Sequence, residues 1–130
     1  LVDDDVKNIL PEEKLITNKS IWREEFLALK CCIGTVNNLD QAIEMINTFS
    51  GGHSAAIMTT NNENADNFMQ QVDCAAVYKN SSTRFTDGGQ LGVGAELAIS
   101  TDKLHHRGPL GLKELVTNKY YIIGEGHIRN

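Results

Sequence analysis

Apolar residues recur at helical spacing along one stretch of the chain: Leu39, Ala42, Ile43, Ile46 and Phe49 fall on a single face. Asn38 stands where an N-cap is wanted, Gln41 follows three residues later as in a capping box, and Gly51-Gly52 suits the end of the helix. A second helix is predicted from Asn62, with Ala65, Phe68, Met69 and Val72 as its apolar face. Three short apolar runs, Ala28–Val36, Ala55–Thr59 and Cys74–Tyr78, alternate with these helices and read as strands. The order β-α-β-α-β with short connections predicts an α/β fold, a parallel sheet with helices on both faces.

The pattern is less regular towards the ends. Asp3-Asp4-Asp5 favours a short helix through Leu10 that Pro11 stops, and Lys14–Thr17 reads as a short strand. Residues 21–29 are ambiguous, although Trp22, Phe26 and Leu29 share a face if that stretch is helical. Beyond the third strand, Ala95–Ile99 suits a short helix or strand, and Pro109 suits the first turn of a helix through Leu115. Lys119-Tyr120-Tyr121-Ile122-Ile123 is an apolar closing strand, which needs a sheet to join; a partner subunit is one source of it.

Composition narrows the function. The chain has 130 residues, 41% of them hydrophobic, enough for one core. A net charge of −5 argues against a nucleic-acid surface and against an anionic membrane, and no apolar run approaches the roughly 20 residues that span a bilayer. The only basic concentration is Lys103 to Arg107. The chain starts without Met and shows no basic-then-apolar leader, so the first residue is expected to be a cut and the protein cytoplasmic. Cys31, Cys32 and Cys74 have neither metal spacing nor a disulfide framework and are expected to be small buried hydrophobes rather than nucleophiles. His53, His105, His106 and His127 have no paired spacing, so no metal site is expected. His53, just after Gly51-Gly52, is read first as a tie for its own loop and second as a ligand contact.

The richest stretch chemically is Asn80 to Ala98, which places Ser81, Ser82, Thr83, Thr86, Arg84, Asp87 and four glycines directly after an apolar strand. Open α/β sheets hold ligands at the carboxyl ends of their strands, and a Gly-rich hydroxyl loop suits such a place. Arg84, expected to be buried, offers a planar fork for a carboxylate or phosphate; the alternative is an ion pair with Asp87 or Glu96. The glycines do not form a dinucleotide fingerprint.

The run Asn80-Ser81-Ser82-Thr83-Arg84-Phe85-Thr86-Asp87-Gly88-Gly89, then Gly92-Val93-Gly94-Ala95-Glu96, then His106-Arg107-Gly108-Pro109-Leu110-Gly111-Leu112, resembles the C-terminal part of the γ-glutamyl phosphate reductases, within the aldehyde dehydrogenase superfamily. The resemblance extends from about Trp22 to Arg129. It implies NADPH-dependent reduction of γ-glutamyl phosphate to glutamate 5-semialdehyde, with release of phosphate, as a step of proline biosynthesis. It makes residues 21–117 part of a catalytic α/β domain, 118–130 an oligomerisation arm with homo-oligomers expected, and 1–20 a poorly defined N-terminal segment. Ser82, Thr83, Arg84 and Phe85 become the substrate loop, and Glu25, in the pair Glu25-Phe26, a contact to the nicotinamide ribose. The family's nucleophile lies in a Cys-Asn-Ala motif that this chain lacks, and its nucleotide-binding domain lies upstream of the matching region. No catalytic residue is therefore assigned here, and the chain alone is expected to be inactive. The alternative is a non-catalytic α/β binding or oligomerisation module.

Overall fold

The computed structural model describes residues 1–103 and 105–129. Leu104, inside the basic run, and Asn130, the last residue of the expected arm, lie outside the described residues. The centre is a two-stranded parallel sheet, β1 (Ser54–Ile57) and β2 (Ala76–Lys79), paired in the register Ala55 with Val77 and Ala56 with Tyr78. Parallel strands require a crossover, and the helix Asn62–Gln71 (α3) supplies it. The helix Leu39–Phe49 (α2) precedes β1, and a four-residue helix, Asp4–Lys7 (α1), opens the chain.

Both long helices start on asparagine. Asn38 has extended backbone and its Oδ1 accepts from Gln41 N at 2.9 Å. Gln41 Oε1 accepts in turn from Asn37 N at 2.7 Å, so the reciprocal bond reaches one residue further back than a strict capping box. Asn61 caps α3 through Asn64 N at 3.0 Å, and α2 ends at Ser50 with Gly51 in left-handed backbone beyond it. Asn47 joins the two helices: its Nδ2 donates to Gln71 O at 2.9 Å, and its Oδ1 accepts from Asp73 N at 2.7 Å.

Alternation along the strands sends Ala55, Ile57 and Val77 to one face. There they meet Ile43 of α2 with Phe68 and Val72 from α3 and its end, and Cys74 completes the cluster. The expected parallel α/β arrangement is present, and within this chain the two long helices gather on the same face of the sheet. Tyr78 faces the other side, where its hydroxyl shares a hydrogen bond of 3.0 Å with Thr86 Oγ1 beyond the one-turn 3-10 helix Thr83–Phe85.

Several expectations are corrected. Ala28–Val36 forms no strand: Ile33 makes a single bridge to Val2, and Leu29, Ile33 and Val36 are exposed. A strand needs a neighbour along its length, and here only the backbone of Leu1–Asp3 is available, through Ile33 N to Leu1 O and Asp3 N to Ile33 O. Lys14–Thr17 likewise reduces to a bridge between Leu15 and Val2. Val2, bridged to both, is 1% exposed, and Val6 of the first helix is buried as well. The first helix stops at Lys7, short of Leu10, and residues 19–23 form a 3-10 helix capped by Asn18. Cys31 is exposed, whereas Cys74 is buried as expected. Gly108–Leu110 (β4) is a strand antiparallel to Ala98–Ser100 (β3), not a helical first turn, and Leu112–Leu115 is 3-10. Lys119–Ile123 pairs with no strand among the described residues, and Tyr120, Tyr121, Ile122 and Ile123 are all exposed.

Phe68 is the largest side chain of the central cluster and is buried. Phe68→Ala is expected to destabilise the chain by about 3–5 kcal/mol, read as a lowered midpoint in urea unfolding. A midpoint shift equivalent to less than about 1 kcal/mol would show that this cluster is not what holds the fold.

Candidate functional site

The stretch singled out for chemistry leaves the carboxyl end of β2 and is tied at once to the end of β1. Asn80 N donates to Ile57 O at 2.8 Å. The Asn80 side chain then closes on Thr59 from both sides, accepting from its N and donating to its O, each at 2.8 Å. Asn80 adopts φ +51°, a left-handed conformation that asparagine tolerates better than most residues. Ser82 caps the following turn, its hydroxyl accepting from Arg84 N at 3.2 Å.

Arg84 is exposed, not buried, since the turn carries it outward on the helix-free side of the sheet. The ion pairs weighed for it do not form among the described residues. Asp87 Oδ1 accepts instead from Gly89 N and Gln90 N, both at 2.9 Å. Glu96 Oε2 accepts from Gly88 N at 2.7 Å. A side chain at Gly88 would meet Ala95 O and Glu96 Cβ at 2.8 Å, so this close fold-back requires glycine. Each acid accepts from the loop's own backbone, and among the described residues the Arg84 guanidinium has no carboxylate partner. Ser82 and Phe85 are exposed with it, and Thr83 is half-buried.

Glu25 is held elsewhere. With Trp22, Arg23, Phe49, Gly51 and His53 it lines an open cleft of about 580 Å³. Arg23 lies over the Phe49 ring at 5.2 Å and fixes one wall. His53 Nδ1 hydrogen-bonds Ser54 Oγ at 2.9 Å, the local tie that was favoured for it. His53 immediately precedes β1, while Thr83–Phe85 follows β2, and no described hydrogen bond or shared cleft joins Glu25 to Arg84. Exposed Glu25 beside Trp22 and Phe49 suits a hydroxyl-bearing ligand with an aromatic part, so the residues present fit a nicotinamide nucleotide.

Distances along the chain hid a further group. Arg107, half-buried, donates from Nη1 to Asp73 Oδ1 at 2.6 Å and from Nη2 to Asp73 O at 2.8 Å and Gly52 O at 3.5 Å. Lys103 pairs with the other Asp73 oxygen. Hydrogen bonds from Lys103 and then Arg107 hold the Asp73 carboxyl below its ordinary value. The Gly111 N–H does the same for Glu114 at 2.8 Å, and the Val6 and Thr35 N–H groups for Asp3. The sequence signals for Arg107 are its place in the His106–Leu112 run and in the basic stretch Lys103 to Arg107, and neither points to Asp73.

A model of the aldehyde dehydrogenase family matches residues 13–96. The chain belongs to the aldehyde dehydrogenase family. It is 53% identical over 123 residues to a γ-glutamyl phosphate reductase of Caldanaerobacter subterraneus, covering 95% of this chain and 30% of that protein. Against the γ-glutamyl phosphate reductase of Clostridium botulinum strain Eklund 17B, identity is 52% over 98% of this chain and 30% of the relative. The crystal structure of γ-glutamyl phosphate reductase from Thermotoga maritima superposes with a TM-score of 0.90 at 46% identity, covering 99% of this chain and 31% of that one. The chain thus spans about 30% of the length of these relatives. The likeness takes in most of the first twenty residues, which the sequence resemblance had left aside. No helix among the described residues is long and apolar enough to cross a membrane.

Two measurements check this site. Asn80→Ala loses both bonds to Thr59 and keeps a strained φ, so it is expected to cost about 1–2 kcal/mol. Asn80→Gly should fall between it and the parent, and equal losses for both would mean that the Thr59 tie, not the left-handed backbone, carries the cost. The second concerns acid. Asp73, Asp3 and Glu114 have folded values lowered from their ordinary ones. Their contribution is therefore complete above the unfolded value, about 4, and is lost as pH falls through the folded values. Thermal unfolding followed from pH 7 downwards should show Tm dropping below about pH 4, less steeply in Asp73→Asn. An identical acid slope in that variant would remove Asp73 from the account.

Proposed function

We propose that these 130 residues form the substrate-holding C-terminal part of an NADPH-dependent reductase that converts γ-glutamyl phosphate to glutamate 5-semialdehyde and phosphate, a step of proline biosynthesis. The observation that carries this reading is the TM-score of 0.90 at 46% identity to the Thermotoga reductase over nearly the whole chain. The free guanidinium of Arg84 adds to it. An anionic substrate needs a cation without an ion-pair partner, and among the described residues Arg84 forms none. Ser82, Thr83 and Phe85 flank it, offering hydroxyls for the polar end and a ring for the carbon chain.

A nicotinamide nucleotide, when bound, supplies the hydride that turns the acyl phosphate into an aldehyde. Glu25 would hold its ribose within the cleft shared with Trp22 and Phe49. No residue of this chain is assigned to the bond-making step: Cys74 is buried, 3.5 Å from Ser50 Oγ, in a packing position. The nucleophilic thiol and most of the nucleotide-binding surface belong to the remainder of a longer polypeptide, and the isolated chain is inactive.

Residues 21–117 are part of that catalytic unit, preceded by an N-terminal segment, 1–20, and 118–130 is an arm that adds a strand to a second copy, giving a homo-oligomer. Exposed Tyr120–Ile123, an apolar run without a strand partner, supports the arm. The enzyme is assigned to the cytoplasm and to no nucleic-acid or membrane partner. Should the parent prove inactive, the same exposed run favours a non-catalytic oligomerisation module.

The test follows NADP⁺ reduction with glutamate 5-semialdehyde and phosphate, in the full-length parent and in the isolated chain. Activity in the parent alone is expected; a folded parent without activity would overturn the reductase reading. In that parent, Arg84→Ala should lower kcat/KM by an amount equivalent to roughly 2–5 kcal/mol without loss of fold. Unchanged kinetics would remove Arg84 from the substrate site.

A further inference from the structure

We propose that Arg107 is a positioning residue for the substrate loop, acting through the β3–β4 hairpin; this rests on the reductase reading above. Arg107 binds neither of the two candidate sites directly, yet its one guanidinium joins the segments that carry them. Its fork spans the α2–β1 turn at Gly52 O and the α3–β2 connection at both the carboxylate and the carbonyl of Asp73. At Gly52, where φ is +78°, an added side chain would meet Arg107 Nη2 at 3.1 Å, so turn and guanidinium fit closely. That turn leads directly into His53, which lines the Glu25 cleft.

From Arg107 the chain runs through β4, whose Leu110 O accepts from Leu97 N at 2.7 Å, beside the register pairs Ala98–Leu110 and Ser100–Gly108. Leu97 is next to Glu96, whose carboxylate holds Gly88 N at 2.7 Å. Val93 N also donates to Gly88 O at 3.0 Å. Gly88 follows Asp87, whose N–H donates to Phe85 O at 2.8 Å and whose carboxylate accepts from Gly89 N and Gln90 N. The loop is therefore fixed at its start by Asn80 on Thr59, and at its end by a chain of contacts that terminates on Arg107 and Asp73. His106 Nε2, bound to Pro109 O at 3.1 Å, stiffens the corner that presents Arg107. Lys103 reaches only a carboxylate oxygen of Asp73, whereas Arg107 also reaches two backbone carbonyls from a planar fork whose donors sit on two separate nitrogens, a spread that the one nitrogen of a lysine does not match.

The test uses the complete reductase with Arg107→Lys and Arg107→Met, after confirming that the unsubstituted enzyme is active; an inactive parent would fail the reductase reading, not this one. Loosening the loop removes binding shared by ground and transition states, so KM for the anionic substrate should rise roughly tenfold in both variants while kcat changes by less than about twofold. KM for NADPH should rise less, because the Gly52 contact on the cleft side, at 3.5 Å, is the longest of the three Arg107 bonds. Hydrogen exchange at Gly88 and Leu97 should quicken in both variants while exchange in α2 and α3 does not. A fall in Tm with both KM values and the Gly88 exchange unchanged would overturn the proposal and leave Arg107 a purely structural clamp. Should Arg107→Met fail to fold, the KM and exchange of Arg107→Lys decide by the same criteria.

Discussion

Parallel pairing of Ser54–Ile57 with Ala76–Lys79 is the constraint on which the other contacts depend. Two strands running the same way cannot be joined by a turn, so the chain must cross over, and α3 is the crossover. The pairing also brings like ends together. Gly52 and Asp73 lie before the strands, Thr59 and Asn80 after them, and each pair is then locked by side chains. The buried cluster around Phe68 stabilises this arrangement, but burial is non-directional. The hydrogen-bonded register decides which residues face one another.

That division explains the placement of the candidate chemistry. The helix-covered face is filled by Ile43, Ala55, Phe68 and Val72 and has no room for a polar ligand. The opposite face carries Tyr78 bonded to Thr86, and there the turn with Ser82, Arg84 and Phe85 folds back. Glycine at 88 allows the loop to close on Glu96, whose carboxylate accepts from the Gly88 N–H, and among the described residues Arg84 forms no ion pair. A surface cation without an ion pair thus stands beside hydroxyls.

The large exposed apolar side chains have a related cause. Leu27, Leu29, Met58, Leu97, Leu112, Val116 and Tyr120–Ile123 present far more apolar surface than scattered single residues would. The family relatives are about three times longer, this chain covering 30% of each. On the function proposed above, this surface packs against the remainder of a longer polypeptide or against a second copy. The run Ala28–Val36 shows the same thing from the strand side, with apolar residues in extended order but no edge beside them.

Helices α2 and α3 were legible because their determinants are local: Asn38, Gln41, Gly51 and an apolar residue every three or four positions act within one turn of where they stand. Cys74 as packing and His53 as a local tie were legible for the same reason. The hydroxyl loop was legible as chemistry, and its motif as family. Strand formation at Ala28–Val36, burial at Cys31 and the burial expected of Arg84 were not, because each depends on what comes to lie alongside. Arg107 and Asp73, 34 positions apart, meet only because the chain after β2 returns through the loop and the β3–β4 hairpin. By itself the sequence determined the helices, the family motif and the kinds of group available. The tertiary structure alone decided which acids are used up, which cation stays free and which distant residues clamp the loop, since these are contacts between segments that no local preference brings together.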